Sequence, residues 1–497
     1  MDSKEISGTV SQLRSMALDA TCEATQDKAR EFKAYIDATP TPFHLVSETA
    51  ARLNEAGFVE VPEHARWNLA RGGKYYYSRN KSTIVAFCVG GKFEPGVGGF
   101  KIVGAHTDSP VLKVKPTSKR SAHGYLQVGA ECYGGGLWHT WFDRELTVAG
   151  CVVVEEKSED GEPATYSRRL VKVDRPILRI PNLCIHLQTG TERKSFTVNK
   201  ENHLQPIMAM LNATKGGDEE EGSEDNDACD DRHSPMLLRI LAEELKCSVR
   251  AIKDFELSLC DTQASQIWGG TREFFSSPRL DNQIHCFTSM DALISYSQAS
   301  ELLSKDTDVS CIALFDHEEV GSQSTCGAGG PVMLEFLHRV VEVFSTSSSS
   351  AVGELQKMSI RKSYMISADV AHSIHPCYPN KHEKNHSPLL NSGTVIKTND
   401  NQRYATNAET GFLLRELTKR GGFKVQEFVV RNDCPCGTTI GPIVAGNTGV
   451  RTIDVGVPSL SMHSIRETIG VADIPNSIGI FLVFFSSFRA LDDVCSF

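Results

Sequence analysis

The stretch V-S-C-I-A-L-F-D-H-E-E-V-G-S, Val309 to Ser322, decides how this chain folds. A mostly apolar run of strand length stops at Phe315, and Asp316, His317, Glu318 and Glu319 follow at once. An unalternating run of that length suits a strand covered on both faces. Four ionisable groups at its end are costly to place together without a counterion. The pattern recurs in G-A-H-T-D-S-P (Gly104 to Pro110), R-L-D-N-Q (Arg279 to Gln283), S-A-D-V-A-H (Ser367 to His372) and S-M-H-S-I-R-E (Ser461 to Glu467). Each sets an acid or an imidazole just beyond an apolar run, and open α/β sheets gather their ligands beyond the carboxyl ends of strands.

Outward from that stretch, strands and helices alternate. A helix is expected over about Asp281 to Leu303, a strand at Val309 to Phe315, and a helix at Pro331 to Phe344. A strand at Tyr364 to Ser367, a helix at Asn407 to Arg420 and strands near Val425 to Val430 and Thr452 to Val455 follow, then a helix from Ile474. Upstream, Arg30 to about Gly57 reads as helix broken at A-T-P-T-P (Ala38 to Pro42), before strands at Ser82 to Val89 and Phe100 to Ala105. Between Ser118 and Asp261 the runs are short and β-like, Leu183 to Leu187 among them, with one helix capped at Ser234-Pro235. The expected fold is α/β: a catalytic domain with a central mixed sheet flanked by helices, split by an inserted β-rich domain. The boundaries follow as 1–117 and 265–497 for the catalytic parts and 118–264 for the insert, which carries an acidic loop at 214–232.

Composition narrows the function. At 497 residues the chain exceeds one core. Much of the net charge of −10 comes from nine acidic residues, with no basic one, between Asp218 and Asp231. Such a block reads as a solvated loop. The remainder is nearly neutral, so no basic footprint for nucleic acid appears. No apolar run is expected to span a bilayer, and M-D-S-K-E-I-S lacks the order of a signal peptide. A cytoplasmic protein with no membrane partner is the expectation. The fifteen cysteines are odd in number and scattered without C-x-x-C. Cys88, Cys151, Cys184 and Cys311 sit in apolar runs as small core residues would, and reduced thiols are expected.

The candidate chemistry rests on His106, Asp281, Glu319, Asp369 and His463, with Glu318 beside one of them. Two imidazoles and three carboxylates, one shared, suit two divalent zinc-like ions with a water position left open. His106 and Asp108 lie two apart, so extended backbone lets Asp108 orient the imidazole. Glu318 and Glu319 are adjacent and on an extended chain point apart, one to metal and one to water. Taken singly, Asp108 could cap a turn beside Pro110, Asp281 could cap a helix after Ser277-Pro278, and His463 could be structural. The set carries the inference. His382-Glu383-Lys384-Asn385-His386 spells H-E-x-x-H, but between Pro379 and Pro388 and without an apolar face it is expected as a loop.

These segments are joined by E-C-Y-G-G-G-L-W-H-T-W-F-D-R-E-L-T-V-A-G (Glu131 to Gly150), R-I-P-N-L-C-I-H-L-Q (Arg179 to Gln188), N-Q-R-Y-A-T-N (Asn401 to Asn407) and N-D-C-P-C-G-T-T-I-G-P (Asn432 to Pro442). In this order, from about Ala34 to about Phe485, they resemble the aspartyl aminopeptidase family of dinuclear zinc exopeptidases. The resemblance implies two divalent ions per subunit, zinc, with cobalt or manganese as alternatives. It implies His106 and Asp369 on one ion, Glu319 and His463 on the other, Asp281 bridging, Glu318 as general base and Asp108 in support. Substrates would be peptides with N-terminal Asp or Glu, read by Lys397, with Arg403 and Tyr404 nearby. His186 would reach a neighbouring subunit's site. The insert would build dimers that assemble into a tetrahedral dodecamer. Two other readings use the same ligands: a two-metal aminopeptidase or amide hydrolase of other specificity, needing no cation in its pocket, and a catalytically silent oligomeric scaffold. The intact Glu318 and complete ligand set stand against the latter.

Overall fold

In the computed structural model, residues 3–156, 163–211, 231–345 and 349–496 are described. Of the acidic loop expected at 214–232, all but Asp231 and Arg232 lies outside the described residues. The chain divides into two units, Met1–Ser109 with Ser265–Met462 and Glu467–Phe497, and Pro110–Ala264 with His463–Arg466. The boundary expected at 117/118 falls inside the strand Val111–Ala122, which pairs along Tyr125–Tyr133. A strand cannot be cut between two sheets, so the division comes earlier, at Ser109.

The first unit is built on a nine-stranded mixed sheet. In spatial order its strands are Val59–Glu60, Lys74–Arg79, Thr83–Val89, Val309–Phe315, Phe100–His106, Tyr364–Ala368, Arg451–Gly456, Thr394–Lys397 and Val425–Phe428. Val309–Phe315, Phe100–His106, Tyr364–Ala368 and Arg451–Gly456 run parallel to one another. The first three are buried from end to end, as their apolar runs require. Alternate side chains feed two cores. Ile84, Ala86, Ile312 and Leu314 pack with helices Glu23–Ala38, Leu280–Ser297 and Asp473–Asp492. Val85, Phe87, Cys311 and Ala313 pack with Val332–Phe344 on the other face. A smaller sheet, in the order Gln266–Trp268, Phe274–Ser277, Glu467–Gly470, Pro458–Leu460 and Ala371–His372, completes this unit.

Three expectations here need correction. The helix expected over Asp281 to Leu303 ends at Ser297, and a separate one spans Ser300–Lys305. A helix at Ser349–Arg361 was not foreseen. Helix Asp473–Asp492 is long and apolar enough to cross a membrane by length and composition, contrary to the expectation that no run is. Its qualifying stretch is 78% buried within the protein, where Phe481, Phe484, Phe485 and Phe488 join the core. It is built as a core helix.

The second unit is a seven-stranded sheet that closes on itself. Ile252–Asp261 pairs with Val111–Ala122 on one side and with Glu145–Glu156 on the other. Leu112, Val128, Val148 and Leu257 fill it, with Leu237, Leu238 and Leu241 of helix Pro235–Leu245. Leu183 to Leu187 is not a strand. Ile185–Leu187 is a turn of 3-10 helix, and Cys184 and His186 are exposed, so Cys184 is no core residue. Every cysteine among the described residues is a free thiol.

Candidate active site

At the carboxyl ends of the three central parallel strands stand His106, the turn after Phe315, and Asp369. His106 is buried. Its Nδ1–H donates to the Asp108 carbonyl oxygen at 3.0 Å, with an Asp108 carboxylate oxygen at 3.5 Å. That tautomer turns Nε2 toward three acids: Asp281 at 3.2 Å, Asp369 at 3.6 Å and Glu318 at 3.9 Å. Asp281 is carried at the start of Leu280–Ser297, where its own backbone is not helical, so it does not simply cap that helix. Its N–H donates to Glu467 Oε2 at 2.8 Å, and its carbonyl accepts from Ser109 Oγ.

Glu318 and Glu319 do not lie on extended chain as expected. They sit in a 3-10 turn, Glu318–Val320, flanked by left-handed backbone at His317 and Gly321. Both of their N–H groups donate to the Asp108 carboxylate, at 3.0 and 3.1 Å. Asp108 therefore does two jobs: its carbonyl orients His106, and its carboxylate shapes the acidic turn.

The electrostatics call for a cation. Burial disfavours a charged His106, yet hydrogen bonding with Asp108, Asp281 and Asp369 outweighs it and holds the imidazole well above its usual range. Burial, then the charges of Asp369, Asp108 and Asp281, push Glu318 up to about 8, against the pull of His106. Burial works against the Asp369 anion too, but Lys397 and His106 bring its pKa down. Carboxylates packed this closely cannot all stay charged without positive partners. The donors also fit zinc. Zn–N and Zn–O bonds of about 2.0–2.2 Å give a tetrahedron edge of roughly 3.3–3.5 Å, and the His106 to Asp281 and Asp369 separations bracket it. His106, Asp281 and Asp369 form one such donor group, and His106, Glu318 and Glu319 another.

The remaining candidates are distributed less evenly. Lys397, buried at its strand end, places Nζ 3.1 Å from Asp369 Oδ1, 3.2 Å from the Val370 carbonyl and 5.0 Å from the Tyr404 ring centre. Arg403 is held elsewhere, its Nε donating to the Cys436 carbonyl at 3.1 Å. His463 opens the four-residue piece that groups with the second unit, and its Nδ1–H donates to the Gly135 carbonyl at 3.0 Å. The H-E-x-x-H stretch is a tight turn closed by a Glu383–His386 bridge, not a helix. Sequence reading missed Glu467, Asn282 and Ser109 as supports. Asn282 and its neighbours offered a signal, because Asp281, Asn282, Gln283 and His285 crowd four large polar side chains into the first turns of a helix whose whole length is nearly all buried.

A parallel-strand sheet ending in a buried ring of carboxylates and imidazole defines a metal-dependent hydrolase. Residues 35–485 match the Aminopeptidase I zinc metalloprotease family (M18), and the chain belongs to that family. It is 46% identical to the probable aspartyl aminopeptidase of Ricinus communis, over 92% of this chain and 95% of that one. It superposes on the solved chain of the Ape4 and Nbr1 complex with a TM-score of 0.88, at 41% identity, covering 95% of this chain and 88% of that one. On the mApe1 dodecamer of S. cerevisiae the TM-score is 0.80 at 30% identity, over 94% of this chain and 98% of that one. The protein is a zinc metallo-aminopeptidase.

Proposed function

We propose that the protein is an aspartyl aminopeptidase, releasing N-terminal Asp and Glu from peptides at a two-metal site. The observation that carries this is the buried ring of Asp281, Asp369 and Glu318 around His106, with a buried lysine bonded to it. By the family's pattern, His106 and Asp369 would hold one ion, Glu319 and His463 the other, and Asp281 would serve both. Zinc is the family's metal; cobalt or manganese would suit the same donors. Two bound ions supply a polarised carbonyl and an acidified water.

The chain's own residues do the rest. Glu318 takes the proton from the attacking water and returns it to the leaving amine. Asp108 keeps Glu318 in place through the N–H groups of the turn. Lys397 receives the acidic side chain, with the Tyr404 ring against it. The exposed apolar residues around His186 support a homo-oligomer, and the solved mApe1 of S. cerevisiae is a dodecamer; the assembly proposed for this chain is a tetrahedral dodecamer built from dimers. Free thiols support a cytoplasmic location.

Hydrolysis of Asp-, Glu- and Leu-amide substrates by the metal-loaded protein tests the reading. Expected kcat/KM values for Asp and Glu exceed that for Leu by about 10–100-fold, the worth of a hydrogen bond to a charged group. Equal rates would favour the broad-specificity reading, and metal binding without turnover the silent scaffold. Glu318→Gln should keep its metal and lose about 10²–10⁴-fold in kcat; activity within a few-fold of wild type would remove Glu318 from its role.

A further inference from the structure

A second group of donors meets beside the Glu318–Glu319 turn, two of them just before it and one after it in the chain. His317 Nδ1 lies 2.8 Å from Ser324 Oγ and 3.5 Å from Cys326 Sγ, and its Nε2 lies 3.6 Å from Asp316 Oδ2. One ligand atom from each of Asp316, His317 and Cys326 falls within 4.8 Å of the others. Asp316 and Cys326 are buried, while the His317 side chain is 26% exposed and gives an ion its way in.

We infer that Asp316, His317 and Cys326 form a seat for a thiophilic divalent cation, zinc or cadmium, separate from the His106 cluster. Imidazole, thiolate and carboxylate are the three ligand types that zinc takes. Bonds of about 2.0–2.1 Å to nitrogen and 2.3 Å to sulfur give a nitrogen–sulfur edge of roughly 3.5–3.6 Å in a tetrahedron. The observed 3.5 Å matches that edge, and the ion takes the place that Ser324 Oγ now holds 2.8 Å from Nδ1. Asp316 closes the third position by a side-chain rotation, and water takes the fourth. Binding releases to solvent the protons carried by Cys326 Sγ and His317 Nδ1 and changes no oxidation state. The ion ties the end of strand Val309–Phe315 to the loop at Ser324–Cys326, and so braces the turn that presents Glu318 and Glu319.

The competing account is a hydrogen-bonded cluster that only pins the loop, since Ser324 Oγ also accepts the Gly327 N–H at 2.9 Å. Cys326→Ser separates the two, because a hydroxyl keeps the hydrogen bond and loses the thiolate. The full chain is equilibrated with cadmium, dialysed, and its cadmium per subunit measured beside the thiolate-to-cadmium ultraviolet band. Wild type is expected to hold one equivalent more than Cys326→Ser, which also loses the band. His317→Gln, checked for folding by circular dichroism, is expected to lose the same equivalent. The difference between proteins is read, not the total, so failure of the two-metal catalytic reading leaves the test intact. Equal cadmium in wild type and folded Cys326→Ser overturns the seat.

Discussion

Lys397 has two possible employers, and the structure shows one of them. Its ammonium is buried against Asp369 and the Val370 carbonyl. Removing one partner of a buried pair leaves the other charged and unsolvated, at a cost of about 3–5 kcal/mol. Lys397→Met should therefore lower the melting temperature of the metal-free protein sharply. An ion on Asp369 restores positive charge at that carboxylate, so added zinc should narrow the gap between variant and wild type. Thermal unfolding with and without zinc checks it, and an unchanged gap would take Asp369 off the ligand list. Preference for Asp over Leu amides should fall in the same variant. His285 offers a pH test. Its Nδ1–H donates to Asn282 Oδ1 at 2.6 Å and its Nε2 accepts the Val457 N–H at 3.1 Å, so a second proton has no place. Burial depresses its pKa to about 3 from 6.5. The unfolded chain therefore binds the extra proton first as pH falls. The stability His285 contributes is whole above pH 6.5 and is lost progressively toward pH 3, by up to about 1.4 kcal/mol per pH unit. His285→Gln should be less stable at pH 7 yet show a shallower decline between pH 6 and 4; parallel curves would contradict the assignment.

Among the elements, strand Arg451–Gly456 controls the site through a missing side chain. A Cβ on Gly456 would stand 1.9 Å from the Asp369 carbonyl oxygen and 2.8 Å from Ala371 N and Val370 C, all backbone. Gly456→Ala should push the Asp369 turn away, cost roughly 1–3 kcal/mol, and lower zinc content and activity together. Gly353→Ala, in helix Ser349–Arg361 with nothing within 4 Å, is the control and should be neutral or slightly stabilising. Zinc content equal in the two variants would show that the close approach does not matter. This element also marks what the sequence could tell. Thr452 to Val455 and the other central strands were legible because burial on both faces demands mostly apolar runs, each interrupted by a single polar residue, Asp454, Lys101 or Ser310. The acids beyond them were legible because strand ends are where such groups can gather. The Glu318–Glu319 turn was not, because its shape depends on the Asp108 carboxylate more than two hundred positions away. Helix Ser349–Arg361 opens on serines and has a thin apolar stripe, so local pattern did not announce it. Leu183 to Leu187 misled for a different reason: its apolar side chains face outward.

That outward face bears on the whole molecule. Leu183, Ile185 and Leu187 are 51%, 60% and 70% exposed, and His186 lies among them. A row of exposed large apolar residues marks an interaction surface rather than a core. An exposed histidine substituted by alanine should change stability by no more than about 0.5 kcal/mol, so His186→Ala should melt like wild type. If His186 completes a neighbour's site, that variant nevertheless loses turnover with its metal intact. Glu318→Gln and His186→Ala should each be inactive alone and active when co-expressed. In a two-fold dimer a His186→Ala subunit keeps its own Glu318 and receives His186 from a Glu318→Gln partner. Random pairing makes half the dimers mixed, each with one of its two sites whole, so recovery should reach about a quarter of wild-type activity. Mixed assembly must be verified with distinguishable tags before activity is read. Recovery near that level places the histidine across the subunit boundary. Verified mixed oligomers that stay inactive would return His186 to its own subunit and leave the apolar row to serve assembly alone.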